Sequence, residues 1–379
     1  MKPISMVDLI NQHNRLRKEL DPAINKVIDQ AAFIQGNEVT SFEKELASLL
    51  NSRYCISCAN GTDALKLALM ALDLPRGSEV IIPSFTFVSP AEVTALLGYT
   101  PVFADVSPHC FNIDIEKIED LITDKTRAII PVHLFGQCAD MENILKIADK
   151  HNLYVIEDTA QALGTAYTFS DGTQKQAGTM GDIGCTSFFP SKNLGCMGDG
   201  GAIFTNNKQL ADPVRIFKNH GQDNQTYHYK YIGLNSRLDT MQAAVLNVKL
   251  PQLRDFIVRR QKVAEHYDKA LLNNQNVTVP HREEQSTHSF HQYTLKTDPK
   301  YRDALLKFLQ EKQIPSKVYY PMPLHLHEAY KNNGRFNREE LTNSEKLSEM
   351  VFSLPVHTEM EEDQLQYITA NINQFFTGS

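Results

Sequence analysis

The sequence predicts an α/β protein: a mostly parallel sheet between helices, followed by a smaller C-terminal α/β domain. Two observations carry this reading. Between residues 54 and 205, short apolar runs without polar alternation are separated by helical stretches, which is the pattern of a parallel sheet buried on both faces. Past Pro251 that regularity ends. A chain of 379 residues also exceeds one ordinary core, so two domains are expected, residues 1–250 and 251–379.

In chain order, the first fifty residues read as helical. Phe42, Leu46, Leu49 and Leu50 are spaced for one helix face after the cap candidates Thr40 and Ser41. Tyr54–Cys58 is a strand, and Ala64–Leu72 is a buried helix entered through Asn60-Gly61-Thr62-Asp63. Strand character returns at Glu79–Pro83, Pro101–Val106, Arg127–Val132 and Leu153–Ile156, and helical character at Pro90–Leu97, Ile115–Ile122 and Met141–Lys150. Cys185–Phe189 and Ala202–Thr205 are two further buried strands around a loop punctuated by Pro190 and four glycines. Leu238–Leu250 is a helix that Pro251 ends or kinks. Arg254–Leu272 is a second helix, with Phe256, Val263, Tyr267 and Leu271 on one face. The polar stretch Asn273–Ser286 is a surface connection. Beyond it, Ser289–Leu295 and Lys317–Tyr320 read as strands, and Tyr301–Glu311, Ser344–Val351 and Glu362–Asn373 as helices.

Composition narrows the function classes. A net charge of −7 without any Lys/Arg-rich block argues against nucleic acid or an anionic membrane as the main partner. The N-terminus has no apolar core of signal-peptide type, and no apolar run is long enough to span a bilayer, so the cytoplasm is the expected location. Six scattered cysteines do not make a disulfide scaffold. Cys55 and Cys58 form a C-x-x-C, but it lies within a strand and lacks a second ligand pair. His288 with His291, and His325 with His327, have no acid or cysteine in a matching pattern, so no metal site is expected. Gly195–Gly201 lacks the G-K-[ST] ending of a phosphate-binding P-loop, and no helix follows it.

What remains points to one kind of chemistry. Lys192 lies on a loop between two buried strands. Desolvation there lowers an amine's pKa, and a neutral amine forms a Schiff base with a carbonyl; an ordinary solvated loop lysine is the rival reading. Gly61-Thr62 joins a strand to a buried helix, a ready anion site because free N–H groups and the helix dipole point at the turn. The same residues also read as a plain helix start capped by Thr62 or Asp63. Glu157-Asp158 ends an apolar strand, where a buried carboxylate wants a partner, with Gln161 three residues on. Phe87 follows another strand, and Ser187 precedes the lysine. Asn235 or Ser236 is a candidate N-cap, and Arg237 sits near a helix start, where it is poor for the dipole and fits an anion better. Tyr319-Tyr320-Pro321-Met322-Pro323-Leu324-His325 is an aromatic, Pro-bounded loop suited to packing or to a polar ligand. Together these are the parts a pyridoxal-phosphate site needs: a lysine, an acid for the pyridine nitrogen, an aromatic face and a phosphate site.

The chain resembles the DegT-type sugar aminotransferases of the fold type I pyridoxal-phosphate superfamily. The similarity runs from Met6 to Pro355 and is most specific in NGTDAL (Asn60–Leu65), EDTAQALG (Glu157–Gly164), SFFPSKNLGCMGDGGAIFTN (Ser187–Asn206), HGQD (His220–Asp223) and NSRLDTMQAA (Asn235–Ala244). The resemblance implies a seven-stranded sheet in the large domain and pyridoxal 5'-phosphate as cofactor. It makes Lys192 the Schiff-base lysine and proton shuttle. Asp158 would pair with the pyridine nitrogen, Gln161 with the ring hydroxyl, Phe87 with the ring face, and Gly61, Thr62 and Ser187 with the phosphate. Asn235 and Arg237 would act from a neighbouring subunit of a homodimer, on cofactor phosphate and on acidic substrate groups respectively. Tyr319, Tyr320 and His325 would line the substrate. Within the family the chain is most similar to enzymes that aminate C3 of a UDP-linked 2-acetamido-3-keto-hexuronic acid from glutamate, for a surface polysaccharide. It departs from them in carrying Tyr319-Tyr320 where they have His-Tyr, and Asn193 where Pro is common. Alternative readings are an aminotransferase for a dTDP-linked 3- or 4-keto-6-deoxy sugar and a non-catalytic cofactor-binding regulator. The family's dehydratases carry His at the lysine position, so Lys192 argues against that branch.

Overall fold

Strands whose residues are almost all apolar must be covered on both faces, and the fold is built around that requirement. In the computed structural model, which describes residues 1–223, 225 and 227–378, the strands are β1 (Tyr54–Cys58), β2 (Glu79–Pro83), β3 (Thr100–Ala104), β4 (Thr126–Ile129), β5 (Tyr154–Asp158), β6 (Ala166–Thr168), β7 (Gln174–Gln176), β8 (Ile183–Ser187), β9 (Gly201–Thr205), β10 (Val277–Thr278), β11 (Tyr293–Thr297) and β12 (Val351–Leu354). Seven of them form one sheet in the order β1-β9-β8-β5-β4-β2-β3. The pairs among β8, β5, β4, β2 and β3 are parallel, and β9 is antiparallel to both of its neighbours.

Side chains alternate across a strand, and β2 shows the consequence. Val80 and Ile82 enter the layer packed by the helix Gly61–Leu72, while Ile81 enters the layer packed by the helix Met141–His151. A three-stranded sheet, β10-β11-β12, lies later in the chain. It packs with the helices Leu253–Leu271, Pro299–Glu311 and Glu362–Thr377 around Tyr267, Tyr293, Leu305, Phe352 and Ile368. The two sheets are stitched together at Asp105, just past β3. Its carboxylate accepts the N–H groups of Asn343 (2.9 Å) and Ser344 (2.8 Å) and the Ser344 hydroxyl (2.6 Å) at the start of the helix Thr342–Met350, where a negative charge complements the helix dipole.

Several local expectations are corrected. Thr40 and Ser41 do not cap a helix but lie inside Asn37–Leu50, whose N-cap is Gly36; Val39 faces the core, and Leu49 is exposed. The buried helix begins at Gly61 rather than Ala64. Its cap is Asn60, whose side chain accepts the Asp63 N–H at 2.7 Å, not Thr62 or Asp63. The helix after Arg237 starts at Thr240 with Asp239 as N-cap, so neither Asn235 nor Ser236 caps it. Lys317–Tyr320 is no strand. Only Lys317 bridges, to Ser353 of β12; Val318, Tyr319 and Tyr320 pack instead against the apolar cluster of Phe85, Phe111 and Phe135. Pro251 interrupts rather than ends the helical run: a 3-10 turn, Leu250–Gln252, leads directly into Leu253–Leu271.

The sheet's centre contains one fully buried carboxylate, Glu157. It accepts N–H groups from Gly178 (2.8 Å), Met180 (2.6 Å) and Gly181 (2.7 Å), and pairs with His133 Nε2 at 2.9 Å. His133 Nδ1 accepts the Ala139 N–H, which fixes the tautomer with the proton on Nε2, pointing at Glu157. Each oxygen of Glu157 thus meets two donors. Glu157→Gln would turn an amide NH2 against one of these pairs, so we predict a loss of about 3 kcal/mol of stability in urea unfolding. A loss below about 1 kcal/mol, the value of one ordinary hydrogen bond, would contradict the anchoring role.

Candidate active site

The residues that carry chemistry gather at one end of the large sheet. Ser187 of β8 pairs in register with Gly201 of β9, which pairs with Cys58 of β1, and Asp158 of β5 pairs with Cys185 of β8. Most of the strands there run outward, and parallel sheets hold ligands beyond their carboxyl ends.

Gly61 opens the twelve-residue helix Gly61–Leu72. A Cβ on it would come within 2.7 Å of Ser187 Cβ, so only glycine lets the helix start close against β8. The Asn60 cap takes the Asp63 N–H and the Asn60 carbonyl takes that of Ala64. The N–H groups of Gly61 and Thr62 therefore remain free at the positive end of the helix dipole. Around them stand the hydroxyls of Thr62 and Ser89, 2.7 Å apart, and of Ser187, to which the Phe189 N–H donates. This donor-rich cradle suits a phosphate dianion.

Next to the cradle is the lysine loop. Lys192 N–H donates to Phe189 O and Cys196 N–H to Phe188 O, both at 2.8 Å, closing a tight turn. Gly195 passes so near that a Cβ would lie 2.3 Å from Pro190 O. Lys249, fully buried, donates to Gly195 O at 2.8 Å and contacts His13 Nε2 at 3.0 Å, pinning the loop from below. Burial lowers the Lys192 pKa to about 8, while the Asp158 charge pulls it the other way. Asp158 is itself buried, and burial raises its carboxyl pKa against the opposing pull of the Ala160 N–H, Lys192 and His133. One Asp158 oxygen accepts the Ala160 N–H at 3.0 Å; the carboxylate keeps capacity for a cationic N–H donor.

Gln161 is oriented from both ends. Its Oε1 accepts the Phe135 N–H at 2.8 Å and its Nε2 donates to Tyr320 Oη at 3.0 Å, so one Nε2 hydrogen remains to donate. Burial raises the Tyr320 pKa, keeping the ring a neutral phenol. Tyr320 lies 6.5 Å from the exposed ring of Phe87 and 6.0 Å from Tyr319, centroid to centroid. Gly61, Thr62, Ser187, Lys192, Asp158, Gln161, Phe87, Tyr319 and Tyr320 thus form one continuous neighbourhood.

Three expected residues lie elsewhere. His325 is fully buried, its Nδ1 2.6 Å from Ser84 Oγ and its Nε2 3.2 Å from Glu345 Oε1. Both ring nitrogens are occupied, so its expected contact with substrate is corrected to a packing role under the loop. Asn235 and Arg237 sit on a hairpin-like segment in which Asn219 pairs with Asn235. Ser236 points inward and takes the Ala59 N–H at 3.2 Å, Asn235 points to solvent, and Arg237 donates to Asn219 Oδ1. One residue enters the neighbourhood unannounced by any motif: His291, buried and within reach of the Lys192 charge. Its only sequence signal is the short spacing to His288.

The donor set fits pyridoxal phosphate: free N–H and hydroxyl groups for the phosphate, a buried acid for a protonated ring nitrogen, an amide donor for the ring oxygen, an open aromatic face and an amine. Among the described residues, no group of three or more His, Cys, Asp or Glu is arranged to hold a metal ion, and no helix is long and apolar enough to cross a membrane.

Comparison with known proteins points to one family. Residues 14–373 match the DegT/DnrJ/EryC1/StrS aminotransferase family. The chain is 42% identical to a UDP-2-acetamido-2-deoxy-3-oxo-D-glucuronate aminotransferase from Pseudomonas aeruginosa, covering 97% of this chain and 99% of that protein. It is 41% identical to a UDP-N-acetyl-3-dehydro-alpha-D-glucosamine 3-aminotransferase from Acidithiobacillus ferrooxidans, covering 99% and 98%. It superposes on the crystal structure of DesV from S. venezuelae, in complex with a ketimine intermediate, with a TM-score of 0.93 at 34% identity, over 99% of each chain.

A desolvated amine has a measurable signature. In protein stripped of cofactor, reaction of Lys192 with a small aldehyde, trapped by borohydride and read by peptide mass spectrometry, should rise with pH to a midpoint near about 8. A midpoint near 10.5, the ordinary lysine value, would contradict the burial argument.

Proposed function

The chain belongs to the DegT/DnrJ/EryC1/StrS aminotransferase family, and from that premise we propose that it aminates C3 of a UDP-linked 2-acetamido-3-oxo-hexuronic acid with glutamate as donor. It is a pyridoxal-phosphate-dependent sugar aminotransferase. The observation that carries the reading is the Lys192 amine, with its pKa lowered to about 8, set against the buried Asp158 carboxylate beside a helix N-terminus with free N–H groups.

When bound, pyridoxal phosphate supplies an electron sink and carries the amino group from donor to acceptor. The protein's own residues do the rest. Gly61, Thr62 and Ser187 would hold the phosphate, and Phe87 would offer an aromatic face to the ring. Asp158 would keep the ring nitrogen protonated, because a carboxylate buried without full compensation is stabilised by a cationic N–H. Gln161 presents an Nε2 hydrogen to the ring oxygen, its own oxygen being committed to Phe135. Lys192, part neutral near physiological pH, can take a proton from one carbon and return it to another without a change of base. Tyr319 and Tyr320 bound the substrate side.

The proposal includes a homodimer with shared sites. Asn235 is exposed, and so are Tyr227, Tyr229, Tyr231 and Ile232 shortly before it in sequence, side chains of the kind a second copy covers. Asn235 and Arg237 would then complete the partner's site, on phosphate and on the acidic substrate respectively. The division near Pro251, a cytoplasmic location and a role in surface polysaccharide synthesis belong to the same proposal.

Two outcomes test it. Incubated with glutamate, the protein should convert the UDP-linked 3-keto uronic acid to its amine by mass spectrometry at least about tenfold faster, by kcat/KM, than a dTDP-linked 3- or 4-keto-6-deoxy sugar. The reverse preference would move the assignment to the latter substrates. Lys192→Ala should abolish amine transfer while cofactor is still retained through the phosphate contacts; near-normal turnover in that variant would remove the central role of Lys192.

A further inference from the structure

The residues just past β2 and β3 each grip a segment from the C-terminal part of the chain, and the two segments are bonded to each other. Ser84 and Asp105 follow the paired residues Pro83 and Ala104, and Ser84 N–H donates to Ala104 O at 2.8 Å. Asp105 accepts from the start of the helix Thr342–Met350. Ser84 takes the loop Tyr319–His325: its carbonyl accepts the Leu324 N–H at 2.8 Å, and its hydroxyl lies 2.6 Å from His325 Nδ1. His325 Nε2 meets Glu345 Oε1 at 3.2 Å, and Glu345 sits on the helix that Asp105 holds. Arg338 fixes the Glu345 carboxylate from outside, through Nε at 2.8 Å and Nη2 at 3.2 Å. Ser84 and His325 are both fully buried, so water does not compete for their bond. A carboxylate only accepts, so Nε2 carries the proton and Nδ1 accepts the Ser84 O–H. Burial holds the imidazole below its ordinary pKa against the pull of Glu345, which preserves this neutral, two-sided form.

We propose that Ser84 and His325 are positioning residues for the substrate side of the site: their buried bond sets where Tyr320 stands relative to Phe87 and Gln161. This rests on the reading in which Tyr319 and Tyr320 bound the sugar. The two segments lie side by side. Ser84 is bonded to Leu324 and His325, the Phe85 ring meets the Tyr320 ring edge-on at 6.0 Å, and Phe87 lies 6.5 Å from the same ring. Pro321 and Pro323 stand between Tyr320 and Leu324, and their fixed φ angles pass the position of Leu324 and His325 on to Tyr320. Gln161 keeps its second anchor at the Phe135 N–H, so a displaced loop loosens the sugar side and leaves the cofactor side in place. The Ser-His-Glu order of bonds is that of a hydrolytic triad, but a serine with no exposure cannot meet a substrate. Its hydroxyl holds the loop.

Three variants test it. His325→Phe keeps a ring under the loop and removes both bonds, Ser84→Ala deletes one oxygen, and His325→Gln offers an amide oxygen and N–H in place of the two ring nitrogens. In the loaded enzyme, His325→Phe and Ser84→Ala should raise KM for the UDP-linked 3-keto sugar about tenfold with kcat and the glutamate half-reaction held within about twofold. His325→Gln should bring KM back to within about threefold of the wild type. Tyr320→Phe combined with His325→Phe should raise KM by less than the product of the two single effects, because both act through one loop. Amide exchange of the loop peptide, followed by mass spectrometry in the holoenzyme without sugar, should quicken in His325→Phe and Ser84→Ala and return to the wild-type rate in His325→Gln. A packing role would instead rank His325→Phe nearer the wild type than His325→Gln. An unmoved KM in His325→Phe and Ser84→Ala, or multiplicative effects with Tyr320→Phe, overturns the assignment, and Ser84→Ala decides it even if the Phe variant fails to fold. Wild-type protein that aminates neither the UDP-linked nor the dTDP-linked sugar overturns the reading of the function, whereas unmoved loop exchange in Ser84→Ala overturns the role of Ser84 and His325 whatever the sugar.

Discussion

The buried carboxylate of Glu157 fixes the end of the central strand on which the site is built. A charge with no exposure is tolerated only where donors surround it, and three backbone N–H groups and His133 do so. They come from the turn before β8 and the segment after β4, so the interaction clamps three neighbouring strands at one level. Adjacent residues on a strand face opposite sides. With Glu157 turned into that clamp, Asp158 is turned toward Lys192. Glu157 and Asp158 are two carboxylates in sequence with opposite surroundings: one saturated with donors, the other left with unused capacity.

The same economy extends outward. Each group facing the cleft is held by atoms that leave one donor or acceptor over. Gln161 spends its oxygen on Phe135 and keeps an N–H. The helix Gly61–Leu72 spends the Asn60 side chain on Asp63 and keeps two N–H groups. Lys192 rides on a turn that Lys249 and the close approach of Gly195 hold in place. Preorganised groups need little rearrangement during reaction.

Much of this is legible in the sequence, for a physical reason. Strands buried on both faces must be continuous apolar runs, so all seven strands of the large sheet can be found from residue order, and the polar residues that interrupt them fall at strand ends where ligands bind. Lys192, Asp158, Gln161, Ser187 and Gly61 stand out on that ground. Caps are less legible, because Asn60 and Asp63, or Thr40 and Gly36, compete locally, and the packing of the helix decides between them. The fate of histidines is the least legible. His325 finds Ser84, 241 positions away in sequence, and Glu345, and no spacing rule encodes such meetings. Lys317–Tyr320 has the composition of a strand, yet after the single bridge from Lys317 to Ser353 of β12 its side chains pack into the Phe85 cluster instead.

The most direct measurement of the central claim is the visible absorption spectrum of the purified protein, recorded before and after glutamate. Lys192 joined to pyridoxal phosphate predicts a near-visible band that moves to shorter wavelength as glutamate delivers its amino group. A protein with no such band, even after pyridoxal phosphate is added, would contradict Lys192 as the cofactor's anchor and with it the whole account of the site.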